Sequence, residues 1–236
     1  MAEKTFVDRH ARGESLRDLC AGFSPLFGPA DTTLTVVNLT AFLGQVGALN
    51  TEIGTLQGNY TTQAANRVAL VKTIKAAATR VAARLKSNAA WKSEEKTARQ
   101  VLNKLRGVRP PKPKAPAEGE PPVEAKKRNS GEQAYAEVAA LFEKFIGVAT
   151  AAAGYTTGAP AAITPGALNG LLSSLKGSNS FLCNLDAQIG PKQKKRQALY
   201  FDAGGFQAKF LAVKESVKSQ YGTQSPEYQS VRGLKW

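Results

Sequence analysis

The chain has 236 residues, of which 42% are hydrophobic, and a formal net charge of +14. This apolar content excludes a chain that is disordered throughout, and the length suits one larger domain or two small ones. Alanine is abundant and runs of β-branched residues are few, which favours helix over sheet. We therefore predict an all-α fold.

The positive charge is unevenly distributed. Residues 21–66 contain no Lys or Arg, whereas residues 67–114 carry fourteen against two acids and residues 190–236 carry nine against three. Such asymmetry indicates a polyanionic partner, which would be nucleic acid, an anionic surface or an acidic protein. The alternative is a soluble helical protein whose basic surface binds polyanions only loosely.

The N-terminal region predicts a weak helix at residues 1–22, interrupted by Gly13, and then a loop. It has no apolar run of signal-peptide length, and no segment is long and apolar enough to cross a bilayer. We therefore expect a cytoplasmic protein without membrane insertion. Cys20 and Cys183 are too few for a disulfide framework or a metal site. We expect both to be buried small residues in a reducing compartment.

A regular apolar seam predicts the next helix, from about residue 35 to 57. Its positions are Leu39, Phe42, Val46, Leu49, Ile53 and Leu56, spaced alternately by three and four. This spacing is typical of a helix that packs along its length against another. Gly58 and Asn59 predict the end of this helix, and a second long helix follows at about 61–86.

A short helix is predicted at 93–106, a Pro-rich exposed linker at 109–130 and a further helix at about 132–153. The next helix begins at Pro165, with Thr164 as its cap, and Gly190 and Pro191 predict its end. A last long helix is expected at 191–221. Ser225, Pro226 and Glu227 then open a final short helix that ends near Gly233.

The seam returns 129 positions later, as Leu168, Leu171, Leu175, Leu182 and Leu185. Arg67 and Arg196 coincide at the same offset. We therefore predict internally duplicated helical hairpins that form a pseudo-twofold four-helix bundle with additional short helices. Residues 1–108 form the first repeat and 131–236 the second, and the repeats share one core. Gly204 and Gly205 indicate a close helix crossing or a kink.

No pattern typical of an enzyme is present. His10 is the only histidine and has no visible partner, so we expect it to be exposed to solvent. Neither cysteine has a histidine near it in sequence, and there is no phosphate loop, dinucleotide fingerprint or zinc-protease motif. We expect a non-enzymatic protein with no catalytic residue, no cofactor and no metal.

The strongest local signal for binding follows Gly190 and Pro191. There the cations Lys192, Lys194, Lys195 and Arg196 occupy the first turns of the predicted last helix. The helix dipole disfavours positive charge at that end, while the free amides favour an anion. Cations kept in this position suggest a phosphate partner. Lys126, Lys127 and Arg128 form a second basic cluster.

The first hypothesis is therefore non-specific binding of DNA or RNA through phosphate contacts. The predicted contact residues are Arg67, Lys72, Lys75, Lys192, Lys194, Lys195 and Arg196. The alternative is a structural or assembly subunit. It would bind other protein subunits through the bundle, the linker and the C-terminal Leu234, Lys235 and Trp236.

Overall fold

The computed structural model describes residues 3–107 and 132–235. These residues are mainly helical and include no strand, which confirms the all-α prediction. The helices are α1 (Glu3–Ala21), α2 (Val36–Lys86), α3 (Lys92–Arg106), α4 (Glu132–Ala151), α5 (Pro165–Phe201), α6 (Phe206–Tyr221) and α7 (Pro226–Arg232). Short 3-10 helices precede α2, α3 and α5. The predicted linker lies outside the described residues.

The helices α2 and α5 are longer than predicted. Gly58 lies inside α2, and Gly190 and Pro191 lie inside α5, so both predicted helix ends are wrong. An interior proline costs about 3 kcal/mol and a glycine about 1 kcal/mol relative to alanine. Buried positions on both sides of Pro191, such as Ile189 and Tyr200, hold α5 in one piece because tertiary packing supplies most helix stability.

The chain breaks at residues 202–205 instead. Gly204 has φ 79°, a left-handed conformation that favours glycine. The Gly205 amide donates to the Asp202 carbonyl over 2.8 Å, and a Cβ atom on Gly205 would lie 2.9 Å from the Asp202 and Leu199 carbonyl oxygens. The predicted crossing or kink is therefore wrong, because the glycine pair forms the turn between α5 and α6.

The helices α5 and α7 begin where predicted, and each has a side-chain cap. Pro165 is the first residue of α5, and the Thr164 hydroxyl accepts a hydrogen bond from the Ala167 amide. The Ser225 hydroxyl accepts one from the Tyr228 amide over 3.0 Å at the start of α7. Each hydroxyl satisfies an amide that has no partner within its helix.

The chain divides into two compact units. The first, which we call the terminal unit, contains residues 1–59 and 185–236, and the second, the central unit, contains residues 60–184. The helices α2 and α5 each contribute one part to each unit. Each unit has its own cluster of buried apolar side chains, drawn from both halves of the sequence. The division into two repeats stays a prediction.

The core of the terminal unit is built around Tyr200. Its ring stacks on Phe206 at a centroid distance of 5.1 Å and meets the edge of Phe6 at 4.9 Å. Its hydroxyl donates to the Phe6 carbonyl over 2.8 Å and accepts from the Asn50 side chain over 3.0 Å. The ring thus fills the core while its hydroxyl joins parts of α1, α2 and α5.

In the central unit, buried aromatic side chains hold the segment between α4 and α5. The Trp91 indole donates to the Ala153 carbonyl over 2.9 Å, and the Tyr155 hydroxyl donates to the Ile163 carbonyl over 2.8 Å. The Arg84 guanidinium donates to the carbonyls of Tyr155, Thr157 and Gly158. A glycine-containing connection is therefore fixed onto α2.

The helix α1 runs without interruption through Gly13, contrary to prediction. Gly13 is buried where the Phe206 ring packs directly against its backbone. A Cβ atom there would also lie 2.9 Å from Leu43 Cδ2. Close approach of a core ring, and not a helix break, explains this glycine.

Only one of the two cysteines is buried as predicted. Cys20 is fully buried, and burial raises the pKa of its thiol to about 12. Cys183 is exposed on α5, so the expectation for this residue is wrong. It occupies a solvent-facing position between the buried Leu182 and Leu185.

We predict that Gly13→Ala lowers the free energy of unfolding by about 1–3 kcal/mol, because the Phe206 ring is held between other aromatic rings and cannot withdraw. Gly44→Ala is the matched control, since nothing lies near its added methyl group and alanine favours helix by roughly 0.5–1 kcal/mol. Chemical denaturation measures both. Equal stability of the two variants would contradict the close packing.

We also predict that one thiol per chain reacts with a thiol reagent under native conditions at pH 8, and that the second reacts only on unfolding. The reacting thiol is Cys183, because Cys20 is inaccessible and protonated at that pH. Mass spectrometry of the labelled peptides identifies the site, and Cys183→Ser should remove native labelling. Rapid labelling of Cys20 in the folded protein would be the opposite result.

Candidate nucleic-acid interface

The seven predicted contact residues have two kinds of environment. In the terminal unit, α5 carries Lys192, Lys194, Lys195 and Arg196; in the central unit, α2 carries Arg67, Lys72 and Lys75. Both arginines are buried, whereas all five lysines are exposed or half-buried. The structure thus separates the predicted set by residue type.

The lysines of the terminal unit lie in the interior of α5. The expectation that they occupy the first turns of a helix is wrong, because α5 begins at Pro165, and the dipole argument does not apply to them. Lys192 Nζ lies 2.6 Å from Glu52 Oε1. Lys194 and Lys195 are exposed and form no ion pair within the part of the chain that the structure describes. These two therefore keep their charge available to a ligand.

Arg196 has a different environment from its neighbours. It is only 4% exposed, and its guanidinium carbon lies 4.1 Å from the centre of the Phe6 ring. A desolvated cation over an aromatic face is stabilised by about 2 kcal/mol. Arg196 thereby joins α5 to α1, and its burial argues against direct contact with a surface ligand.

Arg67 has the corresponding role in the central unit. It is 6% exposed, and its guanidinium carbon lies 3.8 Å from the centre of the Tyr135 ring. One terminal nitrogen, Nη1, donates to the Asn179 side-chain oxygen over 3.5 Å. Parts of α2, α4 and α5 thus meet at one guanidinium group.

A spacing signal for this burial is present in the sequence. Arg67 precedes Leu70 and Ile74 by three and seven positions, so it continues the apolar stripe of its helix. The charge of Arg67 predicts a surface contact, whereas its position on the stripe indicates burial.

A groove between α2 and α4 lies beside the two lysines of the central unit. It is lined by Val68, Val71, Lys72, Lys75, Tyr135 and Val138 and has a volume of about 420 Å³. Val68 is 56% exposed, and Lys72 is exposed. The groove does not follow from the sequence pattern, because it depends on which face of α4 meets α2.

His10 is not the solvent-exposed histidine that was predicted. Its side chain is 18% exposed, and its Nε2 donates to the Leu43 carbonyl over 2.9 Å. Its Nδ1 lies 3.6 Å from a carboxylate oxygen of Glu14. The imidazole packs close to Gly47, where a Cβ atom would lie 3.0 Å from Nε2. His10 therefore links α1 to α2.

Two further observations concern only the described residues. No helix among residues 3–107 and 132–235 is long and apolar enough to span a membrane. In the same ranges, no three or more His, Cys, Asp or Glu side chains are grouped as metal ligands would be. The predicted basic cluster at Lys126, Lys127 and Arg128 lies outside these ranges.

The comparisons with known proteins returned nothing: no family model, curated protein or solved structure matches the chain. Function must therefore be inferred from the chemistry of the described residues.

We predict that Arg67→Lys lowers the free energy of unfolding by about 1–3 kcal/mol, because an ammonium group cannot reproduce the planar stack on Tyr135. Arg80→Lys, an exposed position on the same helix in the central unit, should change it by less than about 0.5 kcal/mol. Chemical denaturation compares the two. If both changes are equally small, Arg67 has no structural role.

Proposed function

We propose that this protein is a non-enzymatic helical protein that binds nucleic acid non-specifically through phosphate groups. The contacts are made by Lys194 and Lys195 in the terminal unit and by Lys72 and Lys75 in the central unit, with Lys192 as a weaker contributor. The observation that carries this proposal is that Lys72, Lys194 and Lys195 are exposed and Lys75 is half-buried, and that none of the four has an acidic partner in the described residues.

The chemistry of these side chains suits phosphate. Lysine offers a compact charge on a flexible stem, and phosphate contacts supply most of the affinity in non-specific binding. Residues 187–201 contain no acidic side chain, so nothing within this part of α5 offsets its lysines. The buried Arg67 and Arg196 hold the framework and are not counted as contacts in this proposal.

The internal duplication is part of the proposal. Arg67 lies over the Tyr135 ring, and Arg196 lies over the Phe6 ring. The two arginines are 129 positions apart in the sequence, and so are the two aromatic residues. The starts of α2 and α5 have the same offset. These matched features support an origin by duplication, and the pseudo-twofold arrangement predicted from it stays a prediction.

A structural or assembly subunit is the second candidate. It is favoured by Leu26 and Val37 of the terminal unit, whose side chains are 78% and 76% exposed. The C-terminal residues give it less support than expected. Lys214 donates to the Leu234 carbonyl and Arg12 to the Lys235 carbonyl, so this part of the tail packs onto the terminal unit.

The test is binding to mixed-sequence duplex DNA and to structured RNA over a salt series. We expect micromolar or tighter binding at physiological salt, and affinity that falls steeply as salt rises. Lys194→Ala/Lys195→Ala should reduce the slope of log affinity against log salt by about 0.9 for each duplex phosphate that the variant no longer neutralises. Lys72→Ala/Lys75→Ala should act in the same way if both units contribute.

The matched control is Lys176→Ala/Lys218→Ala. It removes the same charge, but each of these lysines already forms an ion pair, with Glu143 and Glu215 respectively. Its effect on the slope should be smaller. Absence of binding, or equal effects of control and test variants, would contradict the proposal and leave the assembly role as the better candidate.

A further inference from the structure

The groove of the central unit combines two properties that simple phosphate binding does not require. Four of its lining residues are aliphatic or aromatic, namely Val68, Val71, Val138 and Tyr135. Its volume of about 420 Å³ falls in the range of small-ligand sites. A surface that only attracts phosphates needs neither an aromatic ring nor aliphatic side chains in its lining.

The cations of the groove define the charge of its occupant. Lys72 and Lys75 are three positions apart on α2, so they lie on neighbouring parts of one helix face. Among the described residues, no acidic side chain lines the groove and neither lysine forms an ion pair. An occupant must therefore combine an apolar surface with negative charge close beside it.

The aromatic wall of the groove is held in position. Tyr135 is half-buried, and the Arg67 guanidinium stacks on its ring at 3.8 Å. A ring fixed in this way loses little conformational freedom when a ligand packs beside it. Pre-organisation of the ring favours a flat ligand over one that needs a flexible surface.

We infer that the groove receives an unstacked nucleobase of a single-stranded nucleic acid, with the adjoining phosphates on Lys72 and Lys75. This inference rests on the proposed function and specifies its substrate class. A nucleotide carries a flat apolar face next to a phosphate, which is the combination that the groove offers. Bases pack on aromatic and apolar side chains without regard to sequence, because every base has such a face.

Duplex DNA does not offer this group, since its bases remain paired and stacked. A duplex presents mainly phosphates to the lysines, whereas a flexible single strand can turn one base into the groove. The central unit should therefore prefer single strands over duplexes of equal length.

The decisive comparison is between oligothymidylate and an abasic strand with the same number of phosphates. We expect the full-length protein to bind oligothymidylate about tenfold more tightly, since packing one base on such a surface raises affinity by a factor of roughly 5 to 150. Equal affinity for both strands would overturn the inference and leave the phosphate-binding proposal intact. Absence of binding to either strand would overturn both.

A pair of variants on α2 locates the effect. Val68→Asp places a charge in the groove at a position that is already exposed, and Val37→Asp makes the same change at an exposed position of the terminal unit that does not line the groove. Val68→Asp should bind oligothymidylate and the abasic strand with nearly equal affinity, whereas Val37→Asp should keep the preference for oligothymidylate. Thermal unfolding shows whether both variants are folded. An unchanged preference in folded Val68→Asp would refute the site.

Dodecyl phosphate tests the other occupant of suitable chemistry, an alkyl chain with an anionic head. We expect it not to displace oligothymidylate below its micelle concentration. Displacement that depends on Val68, together with equal binding of thymidylate and abasic strands, would assign the groove to an alkyl chain and exclude the nucleobase.

Discussion

The architecture of each unit depends on one buried guanidinium group placed on an aromatic ring. Removing an arginine from water costs several kcal/mol unless its surroundings replace the lost hydration. In the central unit, the Tyr135 ring and the Asn179 side chain contribute to that replacement for Arg67. These partners lie on α4 and α5, so this part of the stabilisation depends on the placement of three helices. In the terminal unit, Arg196 on Phe6 imposes a similar condition on α5 and α1.

Basic residues therefore have two different roles in this chain. The arginines on the apolar stripes serve the interior, and the lysines beside them serve the surface. Arginine suits the first role because its planar group stacks on rings and is weakly hydrated. Lysine suits the second because its ammonium group is strongly hydrated. A count of basic residues therefore overstates the charge that a ligand can reach.

The sequence predicts the helical class and several helix starts well, because caps act locally. Thr164 and Ser225 each satisfy an amide a few residues away. It fails at Gly58 and Pro191, where local preference indicates a helix end but the helix continues. At Pro191, the burial of Ile189 and Tyr200 on either side holds the helix together. At Gly204 and Gly205 it recognises an unusual position but not its geometry, because consecutive glycines suit a turn as well as a crossing.

The candidate site could be predicted only in part. The exposed Lys72, Lys194 and Lys195 follow from charge, which needs no knowledge of the fold. The burial of Arg67 could have been inferred from its place on the apolar stripe. The groove could not, because Tyr135 and Val68 are far apart in sequence and meet only through the packing of α4 on α2. Contacts of this kind depend on helix rotation, which the seam spacing does not determine.

The Arg84 contacts affect the susceptibility of the central unit to proteolysis. Residues 154–159 combine glycine with threonine, a composition typical of an easily cleaved connection. A protease must draw its substrate into an extended strand and bind the backbone on both sides of the cut. Here the Arg84 guanidinium already donates hydrogen bonds to the carbonyls of Tyr155, Thr157 and Gly158. Cleavage would first require these bonds to break, so this exposed connection should persist where its composition suggests that it would not.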